Sequence, residues 1–214
     1  MGGKKVITER AIRDAAKDGS TTYVAPDNSV ITPLARDAAR ELGISIVFGS
    51  QPVDSEPQAN QNVSQVICIG SDHGGYELKS ELITWLKKAG HQIVDLGTDS
   101  PKSCDYPDFA YAVASMVAEG RARLGIMIDG VGVGSSIVCN KVPGTRAACA
   151  YNEFAAWNAR AHNNANVLTL GSRSMGSEVV KRIVDVFLTT EFEGGRHERR
   201  VQKVTDIEER FSKR

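Results

Sequence analysis

Short apolar runs and amphipathic segments alternate along residues 65–214, which predicts strands followed by helices. One such strand is Leu124–Asp129, an apolar run without the alternation of a half-exposed strand. A helix is predicted over Tyr76–Ala89, where leucines recur on one face. Five strands alternating with helices indicate an α/β fold, with a parallel sheet covered by helices on both faces.

The first 49 residues predict a smaller α/β extension of helix, strand, helix and strand. Thr8 and Thr32 are good N-caps for its two helices, and Pro33 suits a first helical position. Residues 50–64 are polar and carry two prolines, so they predict a flexible linker. The expected domains are therefore 1–49, a linker at 50–64, and 65–214. Because residues 1–49 contain no histidine or cysteine, docking or packing is favoured over chemistry.

Composition limits the function. Lys plus Arg and Asp plus Glu number 26 each, so no global field favours nucleic acid or an anionic membrane. No apolar run approaches the roughly 20 residues of a membrane span, and the start lacks the apolar core of a secretory signal. A cytoplasmic protein is expected, with no nucleic-acid or membrane partner. Cysteine and histidine spacings suggest neither a metal site nor a disulfide framework, so no metal or cofactor is expected.

The chain's central motif is LGIMIDGVGVGSSIVCNKVPG, residues 124–144. Asp129 falls at the carboxyl end of the predicted strand, where open α/β sheets bind ligands. The glycines that follow allow backbone N–H groups to approach a ligand oxygen. An ordinary turn with Asp129 as a capping residue explains the same motif, so other parts of the chain are needed to decide.

Two more segments carry candidate chemistry. SDHGG follows the first strand of residues 65–214, and His162-Asn163 precedes the fifth; both are expected at the same rim as Asp129. Arg196 and Arg200 are four residues apart, so they share a helix face suited to binding phosphate. A carboxylate, imidazoles and arginines suit proton transfer beside the carbonyl of a phosphorylated sugar, a reaction that needs no metal.

The chain resembles the ribose-5-phosphate isomerase B family, which includes the galactose-6-phosphate isomerase subunits. The matching segments, within about residues 66–210, are GSDHGGYELK, DLGTDS, DYPDFA, DGVGVGSSIVCNKVPGTRAA, AHNNANVLTLGSR and EGGRHERRV. The resemblance implies a Rossmann-like αβα sandwich and a homodimer with active sites at the subunit interface, leaving a tetramer open. It also implies metal-independent interconversion of ribose 5-phosphate and ribulose 5-phosphate through an enediolate.

The resemblance also implies residue roles. His162 matches the acid/base that opens the furanose ring, and Asn163 a substrate contact. The implied sugar-phosphate pocket contains Asp72, His73, Tyr106, Gly130, Val131, Gly132 and Gly134, with the glycine N–H groups around the enediolate. The implied phosphate ligands are Arg173, Arg196 and Arg200, some of them reaching the partner subunit's site.

The chain departs from the family pattern at the base. Asp129 stands where many members have a cysteine, Val131 where they have a threonine, and Ser135 where other members have a glutamate base. Asp129 is the expected base, since partial burial favours proton uptake by a carboxylate. The alternatives are an isomerase of a six-carbon or deoxy sugar phosphate, and a noncatalytic sugar-phosphate-binding scaffold subunit.

The N-terminal segments ITER and ITPLARDAARELGI resemble the start of some bacterial microcompartment-associated proteins, including ethanolamine-type cobalamin adenosyltransferases. This resemblance implies a microcompartment shell or cargo partner for residues 1–49, and a location inside such a compartment.

Overall fold

A computed structural model describes residues 5–27, 29–49 and 66–212. The chain divides into two compact units, Met1–Asn62 and Val63–Arg214. The linker predicted at residues 50–64 lies outside the described residues. No helix in the described part of the chain has the length and apolar character needed to cross a membrane.

The described residues of the first unit form two helices and two pairs of parallel strands. Thr8 and Thr32 cap its helices through their side chains, as expected, and Gly43 ends the second helix in a left-handed conformation. The strand pairs are β1 with β3 and β2 with β4. Its elements are β1 (Val6–Ile7), α1 (Glu9–Lys17), β2 (Thr22–Pro26), β3 (Val30–Ile31), α2 (Pro33–Leu42) and β4 (Ser45–Gly49). Strands β1 and β3 were not predicted, because two residues are too few to show a periodic pattern.

The second unit is built on five strands that alternate with helices, and this confirms the predicted fold class. The elements are β5 (Val66–Ser71), α3 (Tyr76–Lys88), β6 (Gln92–Asp95), α4 (Tyr106–Ala118), β7 (Leu124–Asp129), α5 (Val133–Cys139), β8 (Ala147–Cys149), α6 (Glu153–Ala161), β9 (Val167–Gly171), α7 (Ser177–Thr189) and α8 (Arg196–Ser212). The strand order is β6-β5-β7-β9-β8, and every pair is parallel.

The central strand β7 is buried along its whole length, as its unbroken apolar pattern predicted. Ile126 and Ile128 lie in a core cluster with residues of β5, β9, α3, α6 and α7. Burial of a side chain of this size contributes about 1.5–3 kcal/mol. The rigid sheet therefore fixes the positions at which the loops leave its ends.

A parallel sheet has two distinct edges. All strands end at one edge, here called the carboxyl edge, and all begin at the other, the amino edge. The helix between two strands runs back from the carboxyl edge to the amino edge. A residue just after a strand and a residue just before one therefore lie at opposite edges, about 16 Å apart for a strand of five residues.

Candidate active site

Three loops meet at the carboxyl edge and are joined by hydrogen bonds. The main-chain N–H of Asp72, after β5, donates to Ile128 O at 3.1 Å. After β9, Ser172 donates from its N–H to Asp129 O at 2.8 Å and from its hydroxyl to Gly74 O at 2.8 Å. These bonds bring the loops that follow β5, β7 and β9 to one place, as the sequence predicted for the first two.

Two glycines permit the close packing of these loops. A Cβ added at Gly75 would lie 2.4 Å from Ile128 O, so a side chain there would collide with the backbone of β7. A Cβ at Gly134 would lie 2.8 Å from Cζ of Tyr106. The Tyr106 ring therefore packs directly against the first turn of α5, beside the loop at which the family resemblance placed it.

The side chain of Asp129 is almost buried, with 6% of the residue exposed, and its carboxylate is enclosed by hydrogen-bond donors. Oδ1 accepts from the N–H groups of Val131, at 2.7 Å, and Gly132. Oδ2 accepts from the N–H of Ser135 at 3.2 Å and from its hydroxyl at 2.5 Å. A carboxylate has about four lone-pair positions. Asp129 thus anchors its own loop, and of its four donors only the hydroxyl can turn away by a single bond rotation.

Asp72 and His73 lie beside this loop. Asp72 is buried, and its Oδ1 accepts from the N–H of Gly75 at 3.0 Å. His73 is partly exposed; its Nδ1 lies 4.0 Å from Asp72 Oδ2 and 3.3 Å from Cys104 O. A carboxylate and an imidazole are therefore held at the carboxyl edge in reach of a bound polar ligand.

Arg173 and Val131 complete the carboxyl edge. The N–H of Arg173 donates to Gly130 O at 3.1 Å, its stem runs alongside Gly130, and the residue is exposed. Val131 is 53% exposed, and its carbonyl accepts from the Tyr151 hydroxyl at 3.0 Å. A cation and an apolar side chain thus border the carboxylate and imidazole.

The third predicted group lies at the other edge, so the expectation that all three segments share one rim is wrong within a single chain. His162 caps the end of α6 and precedes β9, which places it at the amino edge. The N–H of Glu193 donates to Ala161 O at 3.0 Å, so the segment leading into α8 is at this edge too. Asn163, Arg196 and Arg200 belong to the same edge. The structure therefore brings the predicted residues together as two groups.

His162 has close neighbours that the sequence did not single out. Its ring stacks on that of His197, with centroids 4.0 Å apart and planes 5° from parallel. Its Nε2 lies 3.5 Å from Glu193 Oε2, and its Nδ1 lies 2.8 Å from Asn158 Nδ2. Burial, with the nearby His162 and Arg196, lowers the pKa of His197. The only sequence signal for these neighbours was the position of Glu193 and His197 within EGGRHERRV; Asn158 had none.

Comparison with known proteins agrees with the second unit. The family model described as Ribose/Galactose Isomerase matches residues 67–204. Ribose-5-phosphate isomerase B of Escherichia coli (strain K12) is 45% identical over 144 residues, which are 67% of this chain and 97% of the relative. The structure of Clostridium thermocellum ribose-5-phosphate isomerase B has a TM-score of 0.67 and 49% identity, covering 68% of this chain and 99% of that chain.

A third match carries a ligand. The structure of ribose-5-phosphate isomerase B from Mycoplasma genitalium with bound ribulose-5-phosphate has a TM-score of 0.65 and 44% identity, covering 67% of this chain and 96% of that chain. The family model covers the strands and loops that build both groups of residues, and none of residues 1–66. The chain therefore belongs to the ribose/galactose isomerase family, and the predicted enzyme class, an aldose–ketose isomerase of the ribose-5-phosphate isomerase B type, is confirmed.

Proposed function

We propose that this protein interconverts ribose 5-phosphate and ribulose 5-phosphate through an enediolate, without a metal, and that Asp129 is the base. The observation that carries the proposal is the convergence of Asp72, His73, Tyr106 and Asp129 at the carboxyl edge. The relatives named ribose-5-phosphate isomerase B, one of them with ribulose-5-phosphate bound, support this choice of substrate.

In this mechanism Asp129 takes the proton from the second carbon of the open-chain aldose. The released electron pair forms the double bond between the first two carbons, and the aldehyde oxygen becomes an enediolate oxygen. The hydroxyl proton on the oxygen of the second carbon then passes to the enediolate oxygen on the first, and Asp129 returns its proton to the first carbon, which gives the ketose. The free position on Asp129 arises when the Ser135 hydroxyl rotates away from Oδ2. Arg173 contributes positive charge for the phosphate.

The two separated groups support a homodimer whose sites form between subunits. His162, Arg196 and Arg200 of one chain are at the wrong edge for the Asp129 of the same chain, whereas a second copy can supply them. Both regions expose apolar side chains, which are typical of contact surfaces. Near the Asp129 loop these are Val133 and Ile137, and on α8 they are Val204, Ile207 and Phe211.

Mixing two inactive variants tests the shared site. Asp129→Asn and His162→Gln should each be inactive as homodimers. After the two are mixed, unfolded and refolded, half of the dimers are heterodimers with one intact site in two, so about a quarter of wild-type activity should return. A mixture that stays inactive while both variants form stable dimers would contradict the shared site.

One observation favours the noncatalytic scaffold as a second candidate. Four donors already occupy the Asp129 carboxylate, so all of its roughly four lone-pair positions are taken and none is free for a proton from carbon. Exchange of carbon-bound hydrogen of the substrate with solvent deuterium separates the isomerase from the scaffold, because only an enzyme that enolises its ligand catalyses this exchange.

The exposed Val131 leaves an isomerase of a six-carbon or deoxy sugar phosphate as another candidate. Assaying five-carbon and six-carbon sugar phosphates side by side decides between the two substrates.

We also propose that residues 1–49 form a separate docking unit joined by a linker at 50–64 to the isomerase domain at 65–214. The proposed partner is a microcompartment shell or cargo protein, which would place the enzyme inside such a compartment in the cytoplasm. The division of the chain into two compact units supports this proposal.

A further inference from the structure

A chain of hydrogen-bonded side-chain amides, from Asn163 through Asn158, leads to His162. In its first hydrogen bond the donor and the acceptor can be assigned without ambiguity. Asn163 Nδ2 lies 3.1 Å from the main-chain oxygen of Asn158, which can only accept a hydrogen bond. That atom of Asn163 is therefore the amide nitrogen, because a side-chain carbonyl oxygen could not donate here. The orientation of the Asn163 amide thus follows from the backbone alone.

The remaining links follow from the first. Asn163 Nδ2 also donates to Asn158 Oδ1 at 3.1 Å, so the other side of the Asn158 amide is its nitrogen. Asn158 Nδ2 lies 2.8 Å from His162 Nδ1 and must donate to it. Nδ1 of a neutral His162 then carries the lone pair, and Nε2 carries the proton.

The same neighbourhood contains a possible set of metal ligands. Among the described residues, ligand atoms of His162, Glu193 and His197 lie within 4.8 Å of one another. Three features disfavour a metal here. The amide chain puts a proton on the His162 nitrogen that faces Glu193. The Nε2 of His197 already accepts a hydrogen bond from Arg196 Nε at 3.2 Å. The two imidazole rings are also stacked in parallel, so they cannot both aim lone pairs at one ion.

We propose that Asn158 is a positioning residue that fixes the tautomer of neutral His162, with the proton on Nε2. His162 then acts on the sugar as a hydrogen-bond donor to an oxygen rather than as a base, because Asn158 occupies its other nitrogen. Asn163 acts one step further back, by orienting the Asn158 amide. The catalytic consequence of this inference rests on the proposed function. The tautomer of His162 is independent of it.

The expected consequence is the pH dependence of ring opening. A neutral histidine with its proton on Nε2 remains a donor when the pH rises through the range where histidine titrates. Asn158→Asp replaces the donor with a carboxylate acceptor, which pulls the proton to Nδ1, so His162 donates from Nε2 only when it is protonated. The other charged or titratable groups around His162 are Glu193 and His197, with Arg196 and Arg200 beside His197, and they are unchanged in this variant.

The test begins with the imidazole ¹⁵N spectrum of the full-length protein labelled at histidine. The His162 signals are identified by their loss in His162→Gln. We expect Nε2–H in the wild type and Nδ1–H in Asn158→Asp. Nδ1–H in the wild type, or the same spectrum in both proteins, would overturn the proposal even if the protein had no isomerase activity.

Kinetics provide the second readout. In Asn158→Asp, kcat/KM for ribose 5-phosphate should fall about tenfold or more near pH 8 and recover towards low pH, as expected for loss of a donor to a reacting oxygen. Asn152→Asp is the matched control on the same helix, since Asp caps α6 as well as Asn does. A pH profile of Asn158→Asp parallel to those of wild type and control would refute the positioning role. Inactive wild-type protein would instead refute the proposed function.

Discussion

Asp129→Asn separates the two roles assigned to this residue, the anchor of its loop and the base of the reaction. The amide oxygen of asparagine can keep the two donors on the Oδ1 side, the N–H groups of Val131 and Gly132. The amide nitrogen then replaces Oδ2 and faces the N–H of Ser135, which is also a donor. The Ser135 hydroxyl can reverse and accept, so one main-chain N–H is left without a partner.

The structure gives a rough magnitude for the loss of stability. A buried N–H without a partner costs about 1–3 kcal/mol, and a bond to a neutral rather than a charged acceptor is weaker by about 1 kcal/mol. The two retained bonds are each weakened in this way, and relaxation of the loop recovers part of the loss. The free energy of unfolding should therefore fall by about 2–4 kcal/mol. Loss of the base should lower kcat by a factor of about 10²–10⁴.

Urea unfolding and steady-state isomerase kinetics measure the two effects on the same protein. Ser135→Ala is the comparison, because it removes the hydroxyl but keeps the carboxylate and the main-chain N–H. It should lose about 1–3 kcal/mol, the worth of one charge-assisted hydrogen bond, and keep its activity within about tenfold. Wild-type stability in Asp129→Asn would refute the anchor, and wild-type kcat would refute the base.

Three further predictions concern packing, pH and domain independence. Gly75→Ala should destabilise the fold by about 2 kcal/mol or more, since its Cβ would meet Ile128 O at 2.4 Å. Gly176→Ala is the control, because its Cβ would meet nothing within 4 Å, and it should cost less than about 1 kcal/mol. Urea unfolding measures both. The pKa of His197 is lowered from 6.5 in the folded protein, so just below that pH the unfolded chain binds a proton that the folded chain does not. The free energy of unfolding should therefore fall as the pH drops below about 6.5. His197→Gln should flatten this decline, and an unaltered pH dependence of unfolding would contradict the prediction. Residues 61–214 alone should fold and isomerise as the full chain does, and loss of folding would make the first unit structural.

Much of the fold was predictable because its main elements have strong local signals. The strand Leu124–Asp129 was predicted with its observed bounds, and the helix predicted over Tyr76–Ala89 ends one residue earlier, at Lys88. Helix α5 begins at Val133, within the glycine-rich motif, because the glycines that suggest a loop also permit an early helical turn. Helix ends depend on such local competition and are less regular than the apolar pattern.

The candidate site was predictable only in part. Residues just after strands reach the carboxyl edge whatever the details of the loops, so Asp72 and Asp129 were placed correctly together. His162 was placed at the wrong edge because it ends a helix that runs back across the sheet, so its position depends on the path of that helix as well as on the strand that follows. Asn158 has no sequence signal at all, since its role depends on which way an amide faces in the folded chain.

The loop around Asp129 bears on how a carboxylate could replace a thiol in this family. Its N–H groups hold the negative charge of Asp129 in the resting protein. Under the proposed mechanism that charge moves to the enediolate oxygen when Asp129 takes the proton, and protonated Asp129 binds the same N–H groups less strongly. The freed donors can then turn towards the new anion. One set of backbone dipoles would thus stabilise the charge before and after transfer.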